Sequence, residues 1–138
     1  MRKPYVFLLT PSLVLLGMTF GQARETGVTN QPVAVAEAVI TTGVVDRQPA
    51  DNITSVSADV GQVFCWTRIT GAEGEIEVEH VWYRGDDEMA RITLTIGAAN
   101  WRTWSSKNIV SDWTGDWRVD VVGPDGTVLD SVSFTVQG

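Results

Sequence analysis

Tryptophan is the residue whose frequency and spacing first suggest chemistry in this sequence. The chain contains six of them: Trp66, Trp82, Trp101, Trp104, Trp113 and Trp117. Trp101 and Trp104 are three residues apart, so on an extended strand they face opposite sides and one can be core while the other is exposed. Their segment also contains Arg102, Ser105, Ser106 and Lys107. An exposed indole with polar neighbours is typical of a surface that recognises a sugar or a peptide.

The same segment allows a purely structural interpretation. Arg102 and Arg118 could lie over indole faces and close the edge of a sheet by cation–π contact. We favour this ladder and keep the ligand surface as the alternative. The candidate ligand-binding residues are Trp101, Arg102, Trp104, Lys107, His80 and Tyr83.

His80 is the only histidine of the chain. A zinc site needs further nitrogen or sulfur ligands, and Cys65 is the only other soft donor, so we predict no metal and no cofactor. General acid/base chemistry with Glu77 or Glu79 is conceivable, since alternate residues of a strand line one face. We favour a hydrogen-bonded histidine in the core or at its rim.

Cys65 is the only cysteine, so the chain cannot form an internal disulfide. It lies in an apolar run over 62–67, which favours a small buried side chain over a nucleophile or an intermolecular disulfide. The acidic run Asp86-Asp87-Glu88 lacks the spacing of a regular calcium loop and predicts a solvated hairpin tip. Hydrolase-elbow, phosphate-loop and zinc-protease motifs are absent from the sequence.

The first residues predict a cleavable signal peptide. Arg2 and Lys3 precede an apolar stretch over 5–20, and small residues lead to Ala23. The stretch is short for a membrane span and is interrupted by proline, which disfavours a retained anchor. We therefore predict a periplasmic or secreted protein, cleaved near Ala23.

The remaining chain is the length of one domain. We predict a signal peptide over 1–23, a flexible leader over 24–34 and a β-sandwich domain over 35–138. The formal net charge is −7, and removal of the basic signal peptide makes it more negative. Such a surface repels phosphate, so we expect no nucleic-acid partner, and we expect no membrane span in the mature chain.

Short segments rich in valine, isoleucine, threonine and tryptophan, separated by turn residues, predict an all-β fold. In 76–84 one side carries Ile76, Val78, His80 and Trp82, which indicates a half-covered strand. The predicted strands are 36–46, 60–69, 76–84, 90–97, 101–105, 116–122 and 127–136. About seven strands favour an immunoglobulin-like antiparallel sandwich, with Trp82 as the central aromatic residue of the third strand.

The expected core combines inward-facing residues of both sheets. It comprises Phe64 or Cys65, Ile76, Val78, Trp82, Ile92, Leu94, Trp117, Val119, Val121, Phe134 and Val136. The last two strands read as a hairpin, because Gly123-Pro124-Asp125-Gly126 supplies the chemistry of a turn. Val128 and Leu129 are adjacent apolar residues, which indicates a bulge or an apolar residue on the outer face.

Four segments resemble a known family: VFCWTRI (63–69), HVWY (80–83), WRTWSSK (101–107) and GDWRVDV (115–121). The chain is similar, over roughly 35–138, to the bacterial domain of unknown function family 2914. The resemblance implies an exported or membrane-attached bacterial protein and supports the predicted fold, while it assigns no activity and no functional residue. Cys65 stands where this family pattern leads us to expect an apolar or aromatic residue.

Three functions are compatible with these patterns. The favoured one is a non-enzymatic exported module that binds a protein or a cell-envelope partner through a sheet face or the loops at one end. The first alternative is a carbohydrate-binding module that uses Trp101 or Trp104 as a stacking platform. The second is a small hydrolase built around His80, Glu79 and Tyr83.

Overall fold

A computed structural model describes residues 32–138 of the chain. The predicted signal peptide and the leader residues up to 31 lie outside the described residues. The described part contains ten strands: β1 (Ala34–Thr41), β2 (Val44–Val45), β3 (Gln48–Pro49), β4 (Ser55–Ser57), β5 (Gln62–Thr70), β6 (Ile76–Arg84), β7 (Asp87–Ile96), β8 (Asn100–Asn108), β9 (Gly115–Val122) and β10 (Val128–Gln137).

The long strands form two sheets that pack face to face. One has three strands in the order β1-β5-β8, and the other has five in the order β4-β10-β9-β6-β7. All pairings are antiparallel except the parallel pairing of β4 with β10. The predicted all-β sandwich is confirmed, and each of the seven predicted strands overlaps one long strand.

Two short strands, β3 and β4, were not predicted, and β2 was predicted only as the end of the first strand. The predicted strand 36–46 is divided by a break after Thr41, and β2 and β3 form a separate two-stranded hairpin. The hairpin sequence contains Pro49 and too few residues for a detectable alternation, so its pairing depends on the turn between the strands.

The space between the sheets contains two groups of buried residues. The larger group is built around Trp82, Trp117 and Phe134, and the smaller around Ile69, Val78 and Val121. Cys65 belongs to the larger group, so of the two expected candidates it is the cysteine, not Phe64, that faces the core. Ile76, Ile92 and Leu94 were expected in the core and are only partly buried against it.

An aromatic column crosses the larger group. Trp117 stacks on Phe134 with ring centroids 5.9 Å apart, and Phe134 meets Trp82 edge to face at 6.2 Å. Trp113 extends the column to the loop before β9, and its carbonyl accepts a hydrogen bond from Trp117 Nε1. The predicted central tryptophan of the third long strand, Trp82, is fully buried here.

The β9–β10 hairpin has the predicted turn and bulge. The Gly123 N–H donates to the Thr127 carbonyl, and the Asp125 carboxylate accepts from the Thr127 N–H at 3.0 Å. The hydrogen bond from the Thr127 N–H holds the pKa of Asp125 below its usual value. The register shifts between Val128 and Asp130, as the adjacent apolar pair predicted.

Candidate functional site

The hairpin β2–β3 turns through two residues with left-handed backbone. Asp46 has φ 52° and Arg47 has φ 64°, and the residues on either side of them pair with each other. Positive φ at both central positions is the geometry of a type I′ turn, where asparagine and glycine are strongly preferred. Arginine at the second position is therefore conformationally costly.

Trp66 attaches this hairpin to the three-stranded sheet. Its neighbours Cys65 and Thr67 face the sandwich interior, so the Trp66 side chain faces outward. The indole is nevertheless only 2 % exposed, and its Nε1 donates a hydrogen bond of 3.0 Å to the Arg47 carbonyl. This burial takes place on the outer face of the small sheet and not between the two sheets.

The Arg47 side chain extends to the free edge of β8. Its guanidinium carbon lies 5.6 Å from the Trp104 ring and 5.9 Å from the Trp101 ring. Its Nη2 donates to the Arg102 carbonyl at 3.2 Å. A cation–π ladder thus exists at this edge, but its cation is Arg47, and the prediction that Arg102 and Arg118 supply the cations is wrong.

Trp101 and Trp104 face opposite sides of β8, as their spacing predicted. Trp104 pairs with Trp66 on the outer face, whereas Trp101 pairs with Ile69 and packs against the smaller core group. The Trp101 ring also lies against Gly97, where a β-carbon would approach the ring to 3.0 Å. Both indoles are half-buried, and Arg47 contacts both rings.

Beside the hairpin, the outer face of the three-stranded sheet forms an open concavity of about 330 Å³. Its lining comes from β1, β3, β5 and β8 and comprises Glu37, Gln48, Trp66, Arg68, Asn100 and Arg102. We call this surface the arginine face. Arg68 Nε lies 3.3 Å from a Glu37 carboxylate oxygen, and Arg68 Nη1 donates to Asn100 Oδ1 at 3.4 Å.

The arginine face concentrates positive charge in an acidic protein. Arg68 and Arg102 are directly opposite each other in the β5–β8 register, and their side chains line the same concavity. A like-charge pair in this position is destabilising. Together with Arg47, three of the seven lysines and arginines in residues 32–138 meet at this face.

The outer face of the five-stranded sheet is different, because its arginines lie beside carboxylates. Arg91 contacts Glu79 at 2.7 Å and Glu88 at 3.0 Å. Arg118 contacts Asp120 at 2.8 Å, and this bond raises the pKa of the guanidinium. Of the two outer faces, only that of the three-stranded sheet therefore carries excess positive charge.

His80 lies inside the sandwich and is fully buried. Its Nδ1 is 2.7 Å from Ser105 Oγ, and its Nε2 is 3.2 Å from Thr67 Oγ1. Thr67 donates its own hydroxyl proton to the Thr103 carbonyl, so it accepts from His80 Nε2–H. Ser105 accepts from Trp82 Nε1 and donates to His80 Nδ1.

This chain of hydrogen bonds requires neutral imidazole with the proton on Nε2. Burial lowers the pKa of His80 to about 4, in agreement with that assignment. Glu79 and Tyr83 are on the opposite side of β6, and Tyr83 lies 4.3 Å from the Arg118 guanidinium carbon. The structure therefore does not bring His80, Glu79 and Tyr83 together.

The remaining candidates lie elsewhere. Lys107 Nζ is 4.8 Å from the Trp113 ring centroid, at the end of the aromatic column and away from the arginine face. Cys65 is fully buried, and burial raises the pKa of its thiol. The acidic turn at Asp86 is exposed as predicted, and residues 32–138 contain no group of histidine, cysteine and acidic side chains that could hold a metal ion.

Sequence reasoning identified Arg102 and missed the other polar residues of the arginine face. Glu37, Gln48, Arg68 and Asn100 belong to four different strands or strand ends, and no motif connects them. Arg47 carried only a weak signal, because Asp46 is a common turn residue and follows the apolar pair Val44-Val45.

The fold and this face define the class of protein: an all-β sandwich domain with one basic, aromatic sheet face. Residues 75–136 match the model of the family described as "Protein of unknown function (DUF2914)". This match confirms the family resemblance for the segments HVWY (80–83), WRTWSSK (101–107) and GDWRVDV (115–121), whereas VFCWTRI (63–69) lies outside the matched residues. The matched residues begin just before β6 and end in β10, whereas β1 to β5 precede them.

The solved structures that are similar to the chain include two of a β-glucosidase from Listeria innocua, one of them in complex with glucose. Each has 11 % sequence identity and a TM-score of 0.44, and the similarity covers 74 % of this chain and 16 % of the β-glucosidase. No curated protein matches the sequence. Within residues 32–138 no helix is long and apolar enough to cross a membrane.

Proposed function

We propose that this protein is an exported, non-enzymatic binding module whose protein or cell-envelope partner docks on the arginine face. The observation that carries the proposal is the opposed pair Arg68 and Arg102, lining one concavity in a chain of net charge −7. A like-charge pair weakens the sheet, and an oppositely charged partner would remove that cost.

The construction of the face supports the same proposal. The β2–β3 hairpin is held in place by a buried indole hydrogen bond and forms one wall of the concavity through Gln48. The volume of about 330 Å³ falls in the range of small-molecule and side-chain binding sites. Stacking of a ligand directly on Trp101 or Trp104 has less support, because Arg47 lies against both rings.

Site-specific photocrosslinking in the full chain tests this proposal. A benzophenone side chain at Gln48, expressed in the protein's own host, should trap a discrete species in the cell envelope. The matched control carries the same group at Thr93, an exposed residue on the outer face of the five-stranded sheet. The proposal is wrong if Gln48 traps nothing or if both positions trap the same species.

A further inference from the structure

We infer that the arginine face binds a glycan that carries carboxylate groups, with Arg68 and Arg102 as the carboxylate-binding residues. This inference rests on the proposed function and names the chemical class of its partner.

The charge at the face specifies an anion. Glu37 lies near Arg68 at 3.3 Å, and about half of its side chain is exposed, so it can balance one guanidinium. The structure gives Arg102 no carboxylate contact among residues 32–138, although it lies directly across from Arg68. With Arg47 beside them, Arg68 and Arg102 outnumber Glu37, so the face keeps excess positive charge. Guanidinium groups bind carboxylates through paired, parallel hydrogen bonds.

The uncharged lining residues specify hydroxyl groups. Gln48 and Asn100 each offer an amide donor and an amide acceptor, and Glu37 offers further acceptors. Trp66 also borders the concavity, but it is only 2 % exposed and presents almost no surface to a ligand. A sugar ring that carries a carboxylate can use the amides for its hydroxyls and an arginine for its charge.

Two features disfavour an acidic peptide at the same place. An extended peptide would bind by adding a strand to the free edge of β8. At Arg102 that edge already accepts the Arg47 guanidinium, which a peptide N–H would have to displace. Glu37 would also repel the closely spaced carboxylates of an acidic peptide, whereas a uronic acid chain separates its carboxylates by whole sugar rings.

Calorimetric titration of the full chain with defined probes tests the inference. The probe is trigalacturonate at low ionic strength, and its trimethyl ester presents the same rings without charge. Pentaglutamate represents an acidic peptide. The variants are Arg102→Gln and Arg68→Gln, and Arg91→Gln is the matched control, because it removes an exposed arginine from the other sheet.

We expect trigalacturonate to bind the unmodified protein and Arg91→Gln equally, and to bind either arginine-face variant at least about tenfold more weakly. We expect no binding of the trimethyl ester and a loss of affinity with added salt. Arg102→Gln breaks no ion pair, so it keeps the test valid if Arg68→Gln is unstable.

Three results would overturn the inference. Equal binding of the ester would show that charge is not recognised, and equal binding of pentaglutamate would show that the partner is a peptide. Absence of trigalacturonate binding would reject the glycan class. None of these results affects crosslinking from Gln48, so the two proposals fail separately.

Discussion

At the scale of single residues, a buried series of hydrogen bonds shows how polar groups are accommodated in the core. The series runs from Trp82 through Ser105, His80 and Thr67 to the Thr103 carbonyl. Every donor in this series has an acceptor, so little desolvation cost remains uncompensated. The same arrangement cannot accept a second proton on the imidazole, because Ser105 would have to reverse its hydroxyl.

His80 should make the stability of the domain depend on pH. The pKa of His80 is about 4 in the folded protein and near 6.5 when unfolded, so the unfolded state binds more protons between these values. The stabilisation is complete above pH 6.5 and decreases as pH falls towards 4. We expect a loss of about 2–3 kcal/mol between pH 7.5 and pH 4.5 from this group.

Urea unfolding of the unmodified protein and of His80→Asn at both pH values measures this contribution. Asparagine keeps hydrogen-bonding capacity and does not titrate, so the difference between pH values should be smaller in the variant. An equal loss of stability in both proteins would show that other groups cause the pH dependence.

At the scale of elements, the β2–β3 hairpin combines an unfavourable turn with favourable side-chain contacts. The left-handed backbone at Arg47 has a steric cost, and its guanidinium contacts two indoles and a carbonyl. Glycine would relieve the backbone but could make none of these contacts. The side-chain contacts of Arg47 thus oppose the strain of its backbone.

Two substitutions at Arg47 separate the backbone from the side chain. Arg47→Ala and Arg47→Gly both remove the guanidinium, but only alanine keeps the left-handed strain. We expect the glycine variant to be more stable than the alanine variant by about 1 kcal/mol, measured by chemical unfolding. Equal stability would argue against a strained type I′ turn.

The turn between β5 and β6 offers a matched pair of glycines. Gly71 and Gly74 both have positive φ, but a β-carbon at Gly71 would meet the Pro32 carbonyl oxygen at 2.1 Å, while one at Gly74 would meet nothing within 4 Å. We expect Gly74→Ala to cost about 1 kcal/mol and Gly71→Ala to cost about 1–3 kcal/mol more. Similar unfolding free energies for both variants would contradict the close approach at Gly71.

At the scale of the whole molecule, one acidic domain carries its excess positive charge on the smaller sheet. On the outer face of the five-stranded sheet, arginines lie beside carboxylates. Arg47, Arg68 and Arg102 lie together at the outer face of the three-stranded sheet. An exported module with this distribution would be steered towards anionic material in the envelope by a local field, despite the negative net charge.

Export itself is a testable part of the proposal. We expect the protein recovered outside the cytoplasm to begin at Arg24, as measured by N-terminal sequencing or mass spectrometry. Ala23→Arg places a large charged residue at the predicted cleavage position and should leave the signal attached. An unmodified protein that still begins at Met1 in the membrane would contradict the predicted cleavage.

Much of the fold could be predicted from local sequence. Ile76 and Val78 alternate with Glu77 and Glu79, and this period of two already identifies strand β6 and its inner face. The four turn residues from Gly123 to Gly126 predict the last hairpin for a similar reason, because their backbone preferences act within a few residues. The candidate site was predicted only through Arg102 and its tryptophan neighbours.

The sequence by itself thus determined the seven long strands, the turn of the last hairpin and the central position of Trp82, since each depends on neighbours along the chain. Only the tertiary structure placed Arg68 opposite Arg102 and the Arg47 turn over Trp66. Those contacts depend on strand order and register, which arise when distant segments bury their apolar faces together. A residue pattern read along one strand contains no information about which strand will lie beside it.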